Sequence, residues 1–362
     1  MKLPVLRALD WSLIVAPLLL VGVGVATIFS TTLGTAQSGL AIQQIIFAIL
    51  GIIIMVALTI YDYRNLKNFS WILYLVSALL LVAVLFFGIK IFGAKRWIDL
   101  GLFQLQPSEL MKISIILFVS SILSQGVVLW WRKIMLIIII IAIPLLLVLK
   151  QPDLGTVIVI SIIGLSLFFC WPISRKIKIL VMILIIAMIP LGWLAMKDYQ
   201  RQRIYTFINP GRDPYGSGYN VIQSLITVGS GGIWGRGLGN GPQSQLNFLP
   251  VSYTDFIFAG WAEATGFAGA IGLLVILAIL NWRVYYIASI AKDAFGRYLA
   301  VGYGTMVFVQ VAINIGMNLG LAPVTGIPLP FVSYGGTALM VNFIMIGIMQ
   351  SIYLRHKRIS FD

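Results

Sequence analysis

Ten stretches of this chain are apolar over lengths that approach or exceed the roughly twenty helical residues needed to cross about 30 Å of hydrocarbon. That pattern constrains the fold more than any motif. The stretches fall near 11–31, 41–60, 70–92, 110–129, 134–149, 154–172, 178–196, 256–280, 299–321 and 336–354. Hydrophobic residues make up 60% of the 362 positions, charged residues only 10%, and mean hydropathy is +1.01, so a water-soluble domain of this length is excluded. The expected fold is an all-α polytopic membrane protein with about ten transmembrane helices in a single domain, 1–362.

Short cytoplasmic loops carry the excess of Lys and Arg. Placing the first residues inside collects Lys2, Arg7, Arg64, Lys67, Arg132, Lys133, Arg175, Lys176, Lys178, Arg283, Lys292, Arg297, Arg355, Lys357 and Arg358 on the inner side. The short outer segments then hold only Lys90, Lys95 and Arg96, with Lys112 and Lys150 at helix ends. Both termini are therefore expected in the cytoplasm, and the polar insert 197–254 forms a large extracytoplasmic loop between helices 7 and 8. The net charge of +14 reads as this topology plus attraction to anionic inner-leaflet lipid, not as nucleic-acid binding.

Seven of the eleven acidic residues gather on or near the outer side: Asp99, Glu109, Asp153, Asp198, Asp213, Asp255 and Glu263. Asp255 stands out, because it sits where the insert gives way to the apolar run FIFAGWAEATGFAGAIGLLVILAIL. A carboxylate at such a boundary is costly unless it is solvated, paired or used for chemistry. Basic residues accompany the group, and a mixed cluster of this kind suits an anionic head group and acid–base work. Solvated loop charges and interfacial ion pairs are the alternative for any one of them.

Metal and redox signals are sparse. Cys170 is alone, and the single His356 lies in the basic tail LRHKR, so neither an internal disulfide nor a zinc site is expected. A metal here would be a hard divalent cation, Mg2+ or Mn2+, held by carboxylates and substrate phosphate.

The outer loops carry most of the motif content. In GAKRWIDLGLFQLQPSELMKI, Pro107 and Ser108 suit a helix start. Glu109 complements the helix dipole there and shares a helix face with Lys112, so an ion pair explains those two as readily as catalysis does. In KQPDLGT, Asp153 is placed to cap a helix. Within the insert, YNVIQSLITVG has the spacing of a short interfacial helix. The glycines of GSGGIWGRGLGNG superficially resemble a phosphate loop but follow no strand and lack the GK[ST] ending, so tight turns are expected. APVTGIPLPFVSYGGT, with three prolines and three glycines, cannot be one helix and is expected to fold back as a pocket wall. The eighth apolar segment, read as one tilted helix from Phe256 to Leu280, presents a small-residue stripe of Ala259, Ala262, Gly266 and Ala270, with Glu263 about two turns below Asp255.

Taken together, GAKRWIDLGLFQLQPSELMKI, QPDLGT, YQRQRIYTFINPGRDPYGSGYNVIQS, GSGGIWGRGLGNGPQSQLNFLP, TDFIFA and GIPLPFVSYGG resemble the SEDS family of shape, elongation, division and sporulation proteins, in order and over essentially the whole chain. QSQLNFLP ahead of TDFIF is closer to the RodA elongation branch than to the FtsW division branch. The resemblance implies a ten-helix peptidoglycan glycosyltransferase that polymerises lipid II at the outer face of the bacterial cytoplasmic membrane, with a class B penicillin-binding protein as activating partner. It implies Asp255 as the catalytic acidic residue. Around the substrate it implies Arg96, Glu109, Lys112, Asp153, Arg203 and Ser333, with Arg201 and Arg212 as further outer cations. A divalent cation bridging diphosphate and a carboxylate such as Glu109 would fit this chemistry. The chain departs from the family pattern at Tyr253, where histidine is usual, at Ala264, where a second acid is usual, and at Thr337, where serine is commoner. A lipid II flippase is the main alternative, since the same outer pocket serves transport, and a non-catalytic scaffold is a third. Charges concentrated at the outer mouth, without an internal repeat, favour the enzyme over alternating access.

Overall fold

In the computed structural model, residues 9–35, 37–91, 94–101, 103–126, 129–214, 216, 218–246 and 248–356 are described. Lys2, Arg7, Lys357 and Arg358, used above for orientation, lie outside them, as does the side chain of Arg212. Among the described residues, ten apolar helices match the ten segments one for one. They are α1 (Ser12–Thr32), α2 (Leu40–Ile60), α3 (Leu66–Phe87), α4 (Pro107–Leu123), α5 (Trp130–Lys150), α6 (Leu154–Cys170), α7 (Arg175–Ala195), α11 (Ile257–Ile290), α12 (Ala294–Asn318) and α13 (Gly336–His356). The insert contributes α8 (Asp198–Ile208), α9 (Tyr219–Ser230) and α10 (Pro242–Gln245). Among the described residues eight helices are long and apolar enough to cross a membrane, while α4 and α6, at 17 residues each, are shorter.

The bundle is organised around α4, α12 and α13, whose residues are mostly buried. α13 lies along α2, α11 along α12 and α1, α4 along α3 and α12, and α6 along α12. Small residues permit the closest approaches: a β-carbon at Gly24 of α1 would run into the Val332 backbone, and one at Gly51 of α2 into the Phe343 ring. By contrast α7 buries none of its described side chains. Ile, Leu, Val and aromatic side chains on the outward faces of α1, α2, α3, α5 and α7 are exposed, which is the surface a bilayer covers.

Helix ends follow local chemistry. Pro107 opens α4 with Glu109 in its first turn, Asp153 caps α6 by accepting from Thr156 N at 3.1 Å, and Asp293 caps α12 by accepting from Gly296 N at 2.8 Å.

Three features differ from, or add to, the sequence reading. Residues 89–105 form a small antiparallel sheet, β1 (Ile89–Ile91), β2 (Ala94–Asp99) and β3 (Gln104–Leu105), with Ile89 opposite Trp97 and Ile98 opposite Leu105. The eighth segment is not one tilted helix ending at Leu280. α11 runs 34 residues to Ile290 and is broken at Gly266, whose φ of 69° and ψ of −166° are non-helical. The small-residue stripe is thus interrupted at its third member, because only glycine tolerates that conformation without strain. Finally, the proline- and glycine-rich segment after α12 has no regular structure yet is buried, with Ile327, Leu329, Phe331 and Val332 each at most 2% exposed. As expected for irregular backbone within a bundle, it is enclosed by protein.

Charge separates to the two ends. At one end Arg283 pairs with Asp10, Arg355 with Asp62 and Arg64 with Asp293. Arg96, Asp153, Arg203, Asp255 and the Glu109–Lys112 pair occupy the other.

Candidate active site

Asp255 stands two residues before α11, at the N-terminal mouth of its first half-helix, and is partly open to solvent. Its backbone is fixed on several sides. Asn314 and Asn318 of α12 each donate a side-chain amide to the Asp255 carbonyl, at 3.1 and 3.0 Å, and Asn318 Oδ1 accepts from Ala259 N at 3.1 Å. Asn314 also donates to Ile327 O at 2.8 Å, tying in the irregular segment. Ser333 Oγ donates to Thr254 O at 2.7 Å and accepts from Leu329 N at 2.8 Å, while Tyr334 N donates to Tyr253 O at 2.9 Å. The Thr-Asp-Phe turn is therefore clamped through main-chain groups.

The carboxylate itself is left free. Among the described residues no donor bonds to either Asp255 side-chain oxygen, although a buried or half-buried carboxylate is ordinarily satisfied. Gly326, in the left-handed region at φ 75°, brings bare backbone beside it: a β-carbon there would sit 3.4 Å from Asp255 Oδ2 and 4.0 Å from Arg96 Nη1. Both charges face the same small space.

Arg96, on β2, reaches the same space. Its Nε donates to Gln151 O at 3.2 Å, its Nη2 to Pro152 O, and its Nη1 lies 3.8 Å from Asp153 Oδ1. Arg203, on α8, donates Nη1 to Val324 O at 3.2 Å and lies close enough to act on the Asp255 charge. Burial in this recess pushes the Asp255 carboxyl from 3.8 up to about 6. Arg96 opposes the shift, Asp153 adds to it, and Arg203 opposes it more weakly. Above that value the carboxylate is charged and able to take a proton; below it the group is neutral. Tyr253 beside it has its phenol raised by burial and by the Asp255 charge, with a bond from Gln37 acting the other way, so at neutral pH it stays protonated.

Two paired substitutions test this electrostatic arrangement. Arg96→Gln removes the main downward influence and is expected to move the acidic limb of any Asp255-dependent rate above pH 6. Asp153→Asn keeps the helix cap, since asparagine caps as well as aspartate, and is expected to move that limb below pH 6. A pH–kcat/KM profile of each variant checks both signs.

The sequence-expected residues divide into two groups. Asp255, Arg96, Asp153 and Arg203 come together. Asp153 is 3% exposed, with Oδ1 and Oδ2 both accepting from Thr156, so it caps α6 and orients Arg96. Ser333 is consumed by the clamp described above. Glu109 and Lys112 close on one another at 2.7 Å, each 1% exposed, and neither is among the charges acting on Asp255. Arg201 directs Nη2 to the carbonyls of Trp193 and Leu194 at the end of α7. Glu263 is 1% exposed and its carboxylate accepts from Gln243 N at 2.9 Å, from Ser244 N at 3.1 Å and from the hydroxyls of Ser244 and Ser230, which makes it the anchor of α10 and not a free acid.

Asn314, Asn318 and Gly326 are the positioning residues that sequence reasoning missed. A signal existed for the first two: NIGMN sets two amides four apart, on one face of an otherwise apolar helix, which is expensive unless both are satisfied.

No group of three or more His, Cys, Asp or Glu side chains able to hold a metal occurs among the described residues. The recess offers one unbonded carboxylate with two guanidinium groups acting on it, a set that fits a proton acceptor beside an oxyanion.

The fold and site define a polytopic membrane protein with a clamped, chemically free aspartate at one rim. The chain belongs to the FtsW/RodA/SpoVE cell cycle protein family, whose model matches residues 7–358. It is 42% identical over 313 residues to the peptidoglycan glycosyltransferase MrdB of Escherichia coli K12, covering 86% of this chain and 85% of that one. It is also 35% identical to stage V sporulation protein E of Bacillus subtilis, covering 95% and 96%. Among solved structures, a chain described under structural coordination of polymerization and crosslinking by a peptidoglycan synthase complex superposes with a TM-score of 0.81 at 31% identity, covering 95% of this chain and 97% of that one. Rod shape determining protein RodA of Thermus thermophilus superposes at 0.71 with 27% identity, covering 95% and 96%.

Proposed function

We propose that this chain is a peptidoglycan glycosyltransferase of the elongation type, polymerising lipid II at the outer face of the bacterial cytoplasmic membrane. The observation that carries the mechanism is a carboxylate fixed through its backbone, unbonded at its oxygens, and set beside two guanidinium groups. Asp255 takes the proton of the acceptor sugar 4-hydroxyl as that oxygen bonds to the donor's anomeric carbon. The anomeric carbon–oxygen bond breaks, and its electron pair leaves on undecaprenyl diphosphate. Arg96 and Arg203 face the space where that diphosphate charge collects. Arg96 is held there by two carbonyls, so its position costs little reorganisation during reaction.

A divalent cation, Mg2+ or Mn2+, remains part of this proposal. Glu109, whose Oε2 accepts no hydrogen bond, would hold it together with diphosphate oxygens, and the ion would supply neutralisation of the leaving group while Asp255 stays available as base. The outward orientation rests on the Lys and Arg distribution along the sequence. A class B penicillin-binding protein is the proposed activating partner; the structural likeness to a chain from a synthase complex that couples polymerization and crosslinking supports this.

The test is reconstitution of the purified chain, with and without such a partner, with lipid II. Glycan strands on a gel are the expected product. Absence of polymer with any partner, together with scrambling of lipid II between vesicle leaflets, would replace the polymerase reading with transport.

A further inference from the structure

The glycine run from Gly231 to Gly241 does more than turn the chain. It fills the break in α11. Gly232 O and Ile233 O accept from Phe267 N and Ala268 N, at 2.8 and 3.1 Å, the first donors of the second half-helix. Arg236 N and Gly237 N donate to Glu263 O and Ala264 O, each at 2.9 Å, the last acceptors of the first half-helix. Four backbone groups that the break would orphan are thereby paired. Side chains are excluded from the contact: a β-carbon at Gly231 would strike Ala262 O, one at Gly235 would strike Ala264 O, and one at Gly266 would strike Gly235 N.

The depth of this junction follows from α11 itself. Its outward face carries Phe267, Ile271, Val275, Ile279 and Trp282, exposed by 42–66%, at spacings of four and three that make one continuous apolar stripe. Just beyond Trp282, Arg283 pairs with Asp10 and lies over the Tyr286 ring, a combination of aromatic and charged groups that marks one membrane boundary. Phe267 precedes Trp282 by fifteen residues, about 22 Å of helix at 1.5 Å each, which is less than the roughly 30 Å hydrocarbon thickness. The far end of the stripe therefore falls inside the acyl layer. Ile233, whose carbonyl is bonded at that level, and its neighbour Trp234 are 65% and 83% exposed.

We infer that the tip of the long insert, around Ile233 and Trp234, is seated in lipid at the active-site end of the bundle and not in water above it. Irregular backbone at that depth is tolerated because the broken helix satisfies it. The indole suits the boundary between acyl chains and head groups. Arg236, exposed and bonded through Nε to Ser230 O at 2.8 Å, supplies a cation suited to lipid phosphate beside Ile233 and Trp234. This inference stands apart from the catalytic proposal, since it concerns depth and not chemistry.

Spin labelling tests it. The full chain carrying Cys170→Ala and Trp234→Cys, labelled and placed in nanodiscs of phosphatidylethanolamine and phosphatidylglycerol, is expected to collide with oxygen more often than with a water-soluble nickel chelate, as a label at Val275→Cys does. Preferred collision with the chelate would overturn the inference, and so would low collision with both, which would mean a protein-covered site. Should Trp234→Cys elute as aggregate, Ile233→Cys gives the same reading at the adjacent position.

Discussion

Asp255→Asn is expected to lower the rate of glycan polymerisation by about 10²–10⁴-fold, the range of a lost general base, while leaving the chain folded. Asparagine keeps the backbone carbonyl that Asn314 and Asn318 hold and nearly the same volume. What it removes is the proton acceptor. The same substitution should raise thermal stability. The Asp255 carboxyl is lifted from 3.8 to about 6 by burial, so in the folded chain its ionisation is penalised, and that cost grows as pH rises from about 4 through 6. Above pH 7 the asparagine variant should be more stable by an amount up to about 2 kcal/mol once solvent screening of this part-open group is allowed for. Near pH 2.5, where the carboxyl is almost wholly protonated in both states, the two proteins should unfold alike. Polymerisation assays with lipid II, and unfolding in detergent at the two pH values, check both halves. A variant that polymerises at the wild-type rate would remove Asp255 from the chemistry.

Gly266→Val is expected to be the most damaging change to the fold, by about 3 kcal/mol or more. A residue with a β-carbon at φ 69° is strained by about 1–3 kcal/mol. The new side chain would also displace Gly235 and Ile233 from the gap, leaving paired backbone groups unsatisfied at about 1–3 kcal/mol each. Gly272, in the same helix, has open space around it, so Gly272→Val should cost less than about 1 kcal/mol. The difference in melting temperature between the two variants, measured in one detergent, isolates the junction from a general effect of valine. Equal melting temperatures would mean that the loop does not support the helix.

Much of this architecture was legible because membrane helices advertise themselves by length and apolarity, and each of the ten segments became a helix. Asp255 was legible for a related reason: a charge at the edge of a 25-residue apolar run has few inexpensive uses. The break at Gly266 was not. Glycine occurs within intact helices of this same bundle, at Gly51 and Gly302 among others, and nothing local separates those from the one whose φ is positive. Its cause is tertiary, the arrival of a loop from thirty residues upstream. The same applies to Glu109 and Lys112, which the i, i+3 spacing placed together without saying whether they would face a cavity or each other. Ser333 illustrates the remaining limit, because a hydroxyl beside a glycine pair reads as a ligand contact until its two backbone partners are seen. The small sheet escaped notice because its strands are two to six residues long and alternate only weakly.

The two sides of the recess are fixed by different parts of the chain. The Asp255 and Ile327 carbonyls are bonded to α12 through Asn314 and Asn318, whereas Arg96 is bonded to carbonyls at the junction of α5 and α6. Among the described residues no hydrogen bond joins the Asp255 carboxylate to Arg96 directly. Because the Asp255 carbonyl is held by two amides of α12, a small shift of that helix would alter the distance between carboxylate and guanidinium, and with it the charge that each feels.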